Sequence, residues 1–566
     1  MANQSRQVFI GNGIFKVPAG VTRVRVIAES TAFSRFACDK SSSYLLDSNG
    51  QLWAWGVNNQ GQLGIASVTP QSSPIAVTQG NARFTNFWVP RTNTNAQVFA
   101  LDQNGGLWSW GNNGGFPPGL LGQNQATSGY SNSSPILVSG SGTGVGKTQY
   151  ANVFPGFGQI FALDINGNMW GWGTNNGALG NGGLTAQSSP TMVIGGIKWQ
   201  YLDCENGFGT TFGIDVDNNL WSWGSNGGGF GGFGILGQGI STAVTTTSPA
   251  RVVGSKKWRK VLSSTINVNS GIGFNGPVAF GIDTQGNLWG WGNNTYGQLG
   301  MAAPYQTNYS SPTLVSFPPG VQIRDVGYNT NGSFADSTFY ALDYNGNIWS
   351  WGMTALTGNS GGLGGGAPSL NGSSTPILVL GGHNFQKLFT KGNPAFGSDF
   401  AFGIDTNGAI WGWGNNGNGQ LGNNAGSLNV SIPVAVSGNN RFIWMDWDSA
   451  NQGPAFACDQ YGQLWSWSWN NFGAAGNGTG VFTITASSPI QVLNQKVVQM
   501  NNPQQDYFFD VLPGTSVPVI FGGLYTQFAD KFVGPIPQTN LPQAATSLST
   551  TPLTMIANKI TVEYDQ

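Results

Sequence analysis

The chain of 566 residues is long enough for several domains or for one large repeat array. Only 8% of it is charged, against roughly 25% in ordinary globular proteins, yet 22 Trp, 34 Phe and 14 Tyr exclude a disordered chain. With 22 basic and 23 acidic residues the net charge is −1, and no stretch reads as a Lys/Arg cluster, which argues against a nucleic-acid binder working through phosphate neutralisation.

The first residues, Met1 to Phe9, lack the apolar stretch of a signal peptide. No run of about 18 apolar residues could span a bilayer, so membrane insertion is not expected. Residues 11–28 alternate apolar and polar positions, with Phe15 and Val17 before a Pro18-Ala19-Gly20 turn and Val24 and Val26 after it. This predicts two strands flanking a turn. The three cysteines, Cys38, Cys204 and Cys458, are isolated and odd in number, which fits buried free thiols better than a disulfide framework or a zinc site.

From residue 31 onward a repeat dominates. Trp-x-Trp recurs at Trp53/Trp55, Trp108/Trp110, Trp170/Trp172, Trp221/Trp223, Trp289/Trp291, Trp349/Trp351, Trp411/Trp413 and Trp465/Trp467. An Asp stands six positions before the first Trp of every pair: Asp47, Asp102, Asp164, Asp215, Asp283, Asp343, Asp405 and Asp459. Between them lie turn dipeptides such as Asn49-Gly50, Asn166-Gly167 and Asn407-Gly408, which accept positive φ. An apolar strand therefore ends at the Asp, the Asp caps the turn, and the returning strand carries the Trp pair.

Alternation along a strand puts both Trp of a pair on one face. The residue between them is Ala, Ser or Gly in all eight copies, so the opposite face meets something close. Packing on both faces is what radially stacked sheets provide.

Each pair runs into a Gly/Asn loop that often ends in Leu-Gly, as at Leu63-Gly64, Leu179-Gly180, Leu299-Gly300 and Leu421-Gly422. A Ser-Pro or its relative follows, from Ser73-Pro74 to Ser488-Pro489, and is expected to open a short outer strand. A further strand then opens with an aromatic, as at Trp199, Trp258 and Phe385. The fold class expected is all-β: a β-propeller of eight four-stranded blades, with seven as the alternative. The last Ser-Pro strand is expected to join the first blade and close the ring.

These motifs resemble the regulator of chromosome condensation repeat family, whose pattern is an apolar strand, Asp-x-x-Gly, a strand ending Trp-Gly and a loop ending Gly-Gln-Leu-Gly. Asp47 to Gly64 and Asp283 to Gly300 match it best, and the resemblance extends over roughly residues 32 to 494. It implies a β-propeller, usually of seven blades. The family's His before the apolar strand is missing, since the single His of the chain is His383, and Ser468 replaces the Gly after the last Trp pair. One family member exchanges nucleotide on a small GTPase at chromatin, but the basic tails of that role are absent. Residues 11–28 resemble a short β-motif of bacteriophage tail-fibre and other virion proteins, with a faint echo at Phe509 to Gly514.

The ends, residues 1–30 and 495–566, are read as one or two small β-modules around the propeller of residues 31–494. The final strand runs from Lys559 to Tyr564, and Pro535, Pro537 and Pro542 suggest an extended arm.

Catalysis is poorly supplied: there is one His, no recognisable carboxylate dyad, and no Lys-Ser/Thr in the Gly-rich loop 228–237. A glutamate at position 12, which a helix-flanked calcium loop needs, is replaced by Asn58 and Asn113 in the first two copies. No enzyme activity, cofactor or metal is expected.

The paired Trp are read as scaffold, leaving Trp444, Trp447 and Trp469 as candidates for exposed recognition. The functional expectation is a non-enzymatic virion component of a bacteriophage — tail fibre, spike or capsid-surface protein — made in the host cytoplasm. Its termini would hold other virion proteins, its loops would meet a host glycan or protein, and an oligomer is possible. The alternatives are a cellular, cytoplasmic propeller adaptor binding a protein partner, and a glycan-binding or glycan-active protein.

Overall fold

In the computed structural model, residues 35–492 are described apart from short segments, the longest being 265–276, 354–361, 391–399 and 476–484. Of residues 4–29 and 504–565 the strands are described by backbone pairing alone. The chain divides into two units, residues 35–459 with 464–494, and residues 1–34 with 460–463 and 495–566.

The larger unit is an eight-bladed β-propeller. Its blades are four-stranded antiparallel sheets spanning residues 33–76, 84–137, 150–192, 199–251, 258–314, 323–378, 385–435 and 442–491. Within each blade the four strands follow one another in sequence. The expected strand exchange at closure therefore does not occur. Thr485–Gln491 pairs with Leu464–Trp469 of its own blade, and blade 1 builds its own first strand, Phe33–Cys38. The seam closes by packing. Phe36 meets Trp444 edge-on at 5.4 Å and Phe456 at 4.6 Å, and Trp55 meets Phe456 at 6.3 Å. An apolar face supplies the closing contact without a shared ladder.

The second Trp of every pair is at most 1% exposed. A fully buried indole removes roughly 150–250 Å² from water, a transfer term of roughly 4–6 kcal/mol. In seven blades its Nε1–H also donates, at 2.7–3.1 Å, to a backbone carbonyl in the Leu-Gly loop of the preceding blade. Trp110 donates to Gln62, Trp172 to Leu120 and Trp223 to Ala178. Around the rest of the ring Trp291 donates to Ile235, Trp351 to Gln298, Trp413 to Gly362 and Trp467 to Gln420. The glycine of that loop lies under the same ring. A Cβ on Gly180, whose φ is +65°, would stand 2.7 Å from Nε1 of Trp223. The small residue between the indoles packs inward against its own blade: a Cβ on Gly171 would stand 2.8 Å from the Phe161 ring across the ladder.

A second stitch links neighbours at the outer edge. The backbone N–H of Ala66, Asn124, Gly182, Gly239, Ala302, Gly366 and Asn424 donates at 2.7–3.0 Å to a Ser or Thr carbonyl on the next blade's fourth strand. The Ser-Pro prolines sit inside those fourth strands and do not open them: Pro74 is the fourth residue of Gln71–Ala76 and Pro190 the fourth of Gln187–Met192. The ladder breaks register there, between Ala54 and Gly56 in blade 1, so the missing N–H falls at a bulge on an outer edge.

In the smaller unit the two ends of the chain share sheets. Lys559–Asp565 pairs with both Gln4–Phe9 and Arg23–Glu29, and Gln504–Val511 pairs with Arg23–Glu29. Gly13–Lys16 and Arg23–Glu29 are strands as expected, but they do not form a hairpin together. The first pairs with Ser516–Phe521 in a separate sheet. Pro535, Pro537 and Pro542 lie outside the described residues.

Candidate interaction face

The turn before each Trp pair is built around its Asp. In seven blades Oδ1 accepts the backbone N–H groups two and four residues on, as Asp283 does from Gln285 and Asn287 at 2.9 Å. In all eight, Oδ2 accepts the indole N–H of the first Trp at 2.8–3.1 Å. The six-residue offset in the sequence is this hydrogen bond. Burial alone would raise the carboxyls of Asp164, Asp215 and Asp283. The side-chain bonds from Asn168, Asn219 or Asn287 and from the indole, with the backbone N–H groups, outweigh it and hold them below the usual range. The aspartates are structural caps with their acceptor sites filled.

The sixteen paired Trp, read as one set in the sequence, part into two sets in the structure. Trp53, Trp108, Trp170, Trp221, Trp289, Trp349, Trp411 and Trp465 are half-buried at the turns, each holding its Asp. Trp55, Trp110, Trp172, Trp223, Trp291, Trp351, Trp413 and Trp467 are wholly buried. An indole enclosed between blades, with its N–H spent on a loop carbonyl, has no face or donor left for a ligand.

In blades 5, 6 and 7 the loop entering the blade covers the half-buried first Trp differently each time. Lys256 Nζ stands 4.0 Å from the Trp289 ring centre, Phe317 meets Trp349 edge-on at 5.8 Å, and His383 stacks on Trp411 at 3.6 Å. Burial lowers the His383 pKa, against the opposing charge of Asp405.

Connections between blades are locked between consecutive turns. In blades 2 to 7 the residue before the first strand accepts from the turn of its own blade, as Lys198 O does from Val216 and Lys257 O from Thr284, both at 2.9 Å. The next residue donates to the turn of the preceding blade, as Trp199 does to Gly167 and Trp258 to Asn218. One face of the ring is therefore a circle in which turns alternate with Arg83, Gln149, Lys198, Lys257, Gln322, Asn384 and Arg441. None of those seven is acidic. Beside them, in blades 2 to 7, the position after the Asp carries Gln103, Ile165, Val216, Thr284, Tyr344 and Thr406; all six are exposed, and they range from amide and hydroxyl to aliphatic and aromatic. Between blades 5 and 6 the face sinks into an open depression of about 530 Å³, lined by Thr284, Gln285, Gly286, Asn287, Gln322 and Tyr344.

The same pattern was found by comparison. The family model for the regulator of chromosome condensation (RCC1) repeat matches residues 49–88, 285–335 and 407–446. These three segments are similar to RCC1 repeats. Each begins within a turn, two residues after its Asp, and covers the Trp pair and the loop or strand beyond.

Among the relatives, the ultraviolet-B receptor UVR8 of Arabidopsis thaliana is 25% identical over 338 residues, covering 59% of this chain and 67% of that protein. The RCC1 domain-containing mitochondrial protein RUG3 of Arabidopsis thaliana is 27% identical over 398 residues, covering 66% of this chain and 79% of its own length. The human E3 ubiquitin-protein ligase HERC2 is 24% identical over 56% of this chain, but the match takes in only 6% of HERC2. The crystal structure of yeast RCC1 (Prp20) bound to Kap60 aligns at a TM-score of 0.48 and 16% identity, covering 77% of this chain and 89% of the other. These relatives are cellular proteins, and none of them is a virion protein.

Two of the three residues singled out for recognition, Trp447 and Trp444, are placed differently from expectation. Trp447 is 3% exposed and packs on Phe400 and Phe402 at 5.5 and 5.3 Å, inside the contact between blades 7 and 8. Trp444 is half-buried against Phe36 at the seam. Both lie on the first, innermost strand of blade 8, where neighbouring blades press together. Trp469 ends its strand opposite Thr485, and its side chain lies outside the described residues. The three cysteines are free and buried, and burial, with Asp459 beside it, pushes the Cys458 thiol well up.

One signal was overlooked. The expectation of no Lys/Arg cluster passes over Lys256-Lys257-Trp258-Arg259-Lys260, four cations in five residues. Trp258 is 1% exposed and anchors the run, while Lys257 and Arg259 are exposed. Among the described residues there is no group of three or more His, Cys, Asp or Glu able to hold a metal ion.

Proposed function

We propose that the propeller is a non-enzymatic adaptor of a cell, which holds a protein partner on the face formed by the Asp turns and the interblade connections. The observation that carries this reading is a division of labour within the repeat. The recurring groups, Asp and both Trp, bond inward and to neighbouring blades. The positions that vary from blade to blade, such as Lys198, Lys257, Gln322 and Tyr344, face solvent. A rigid ring presenting a varied polar rim suits recognition. Among the described residues His383 is stacked on Trp411, and the turn aspartates, as Asp283 shows, are occupied by backbone and indole donors. The cellular relatives support the same reading.

The test is cross-linking mass spectrometry on the full chain incubated in lysate of its source organism. The expected result is a stoichiometric partner cross-linked to the turn face. Cross-links confined to other surfaces, or turnover of a glycan or peptide panel by the purified chain, would overturn it.

A second reading, a virion component, is supported by the shared sheets of the two chain ends, which make a compact attachment unit out of both termini. Its test is the presence of the protein in purified particles. The glycan-binding reading leaned on exposed Trp, and Trp444 and Trp447 do not provide them.

A further inference from the structure

We infer that an arc of this face over blades 4 to 6 is the seat of an acidic, extended peptide segment. This rests on the adaptor reading above and adds the chemistry of the partner.

The arc is continuous. Lys198 and Lys257 flank the turn of blade 4, the first through its backbone bond from Val216, the second through Nζ, which donates to Asp217 O at 2.8 Å and Asn219 Oδ1 at 3.0 Å. Lys257 also accepts from Thr284 of blade 5, and Thr284 begins the depression that ends at Gln322 and Tyr344. Arg259 lies 5.7 Å from the Tyr344 ring centre and donates to Ile323 O at 2.9 Å.

The positive charge of the arc is available. Lys260 is paired with Asp325. By contrast, Lys198, Lys257 and Arg259 are exposed, and the hydrogen bonds they make go to amide and carbonyl oxygens. The carboxylates beneath, Asp215, Asp283 and Asp343, are at most 5% exposed and saturated by turn and indole donors, which leaves Asp217 as the exposed acid of the arc.

The rest of the arc fits a peptide. Gln285 and Gln322 offer side-chain amides for a peptide backbone, Asn287 offers its amide oxygen while its NH2 is held by Asp283, and Val216 and Tyr344, 57% and 58% exposed, offer apolar contact beside them. The depression has room for one large side chain. A duplex-binding protein commonly neutralises about 6–10 phosphates, more than these three exposed cations can.

The experiment uses the full chain and a fluorescein-labelled peptide alternating Glu with Gly and Ser and bearing one central Leu. Single-stranded DNA and vesicles containing phosphatidylserine serve as competitors. Anisotropy should report binding that weakens with salt. The combined Lys198→Gln, Lys257→Gln, Arg259→Gln variant should lose about tenfold in affinity. Arg83→Gln with Arg441→Gln, at equivalent positions elsewhere on the circle, should change it by less than about twofold. Unchanged thermal melting of both variants secures the comparison.

Equal losses in the two variants, no peptide binding, or preferential displacement by DNA or vesicles would each overturn the inference. If the triple variant still captures its lysate partner on the turn face, the adaptor reading stands and the acidic arc falls.

Discussion

Gly180 and Gly196 make a controlled pair for the packing between blades. Their φ angles are both +65°, but a Cβ on Gly180 would press on Trp223, at 2.7 Å from Nε1, whereas a Cβ on Gly196 meets nothing within 4 Å. Alanine at Gly196 should cost only the left-handed backbone term, about 1–2 kcal/mol. Alanine at Gly180 adds the strain of an overfilled contact, about 1–3 kcal/mol, for a total of about 2–5 kcal/mol. Urea unfolding followed by Trp fluorescence measures both, at constant m. A second step checks the cause: Trp223→Phe in the Gly180→Ala background should recover part of the loss, because the two changes share one contact. Equal destabilisation by the two alanines, or strict additivity with Trp223→Phe, would refute the claim that the glycine is required by the neighbouring indole.

Ser468 holds φ +72° where its counterparts in the other blades are Gly, so Ser468→Gly should stabilise by about 1 kcal/mol in the same assay, less the bond from its hydroxyl to Asn418 O. Asp283→Ala strands the Trp289 indole and three further donors and should destabilise by about 2–4 kcal/mol, while Asp217→Ala, in the exposed part of a turn, should change stability by less than about 0.5 kcal/mol. Because Asp164, Asp215 and Asp283 have folded-state pKa values held down, their contribution is complete above the unfolded value of about 3.9 and is lost as pH falls through the folded values; acid titration of the melting temperature should show that loss, and Asp283→Asn should flatten it. His383 has the opposite proton preference to a paired histidine: its lowered folded pKa means that the unfolded chain binds the proton more readily, so stability should fall as pH drops through about 6.5, and His383→Phe should remove that slope while keeping a ring on Trp411.

Local features were legible in the sequence because they are encoded locally. Asp283 and Trp289 are six residues apart and meet in one hairpin, so the offset, the turn and the strand pairing could be read together. The small residue between Trp170 and Trp172 announced a close neighbour, which is the Phe161 ring. Long-range choices were not legible. The two Trp of a pair look equivalent in the sequence, yet Trp289 answers to its own turn and Trp291 to a loop 56 residues earlier. Whether Thr485–Gln491 pairs with its own blade or with blade 1 turns on the presence of a first strand at Phe33–Cys38, whose spacing from the Trp pair is like that of any other blade. Trp447 looked free because it stands outside the Trp-x-Trp pattern, yet its ring is enclosed against Phe400 and Phe402 of the preceding blade. The basic run at Lys256 was hidden by a buried Trp in its middle and by a near-zero net charge, since a whole-chain sum conceals where acids are spent on turns.

The seam at Phe36, Trp444 and Phe456 has a consequence for how such a chain can change. Since every blade is one uninterrupted stretch of sequence and closure needs only a matching apolar flank, a duplication or loss of one whole unit leaves all other pairings intact. Ring size then follows from unit count and wedge angle alone. A ring whose ends shared a blade would have to preserve two half-units together through every such event. This architecture gives a lineage a modular part, in which one rim segment can be exchanged for another without renegotiating the closure.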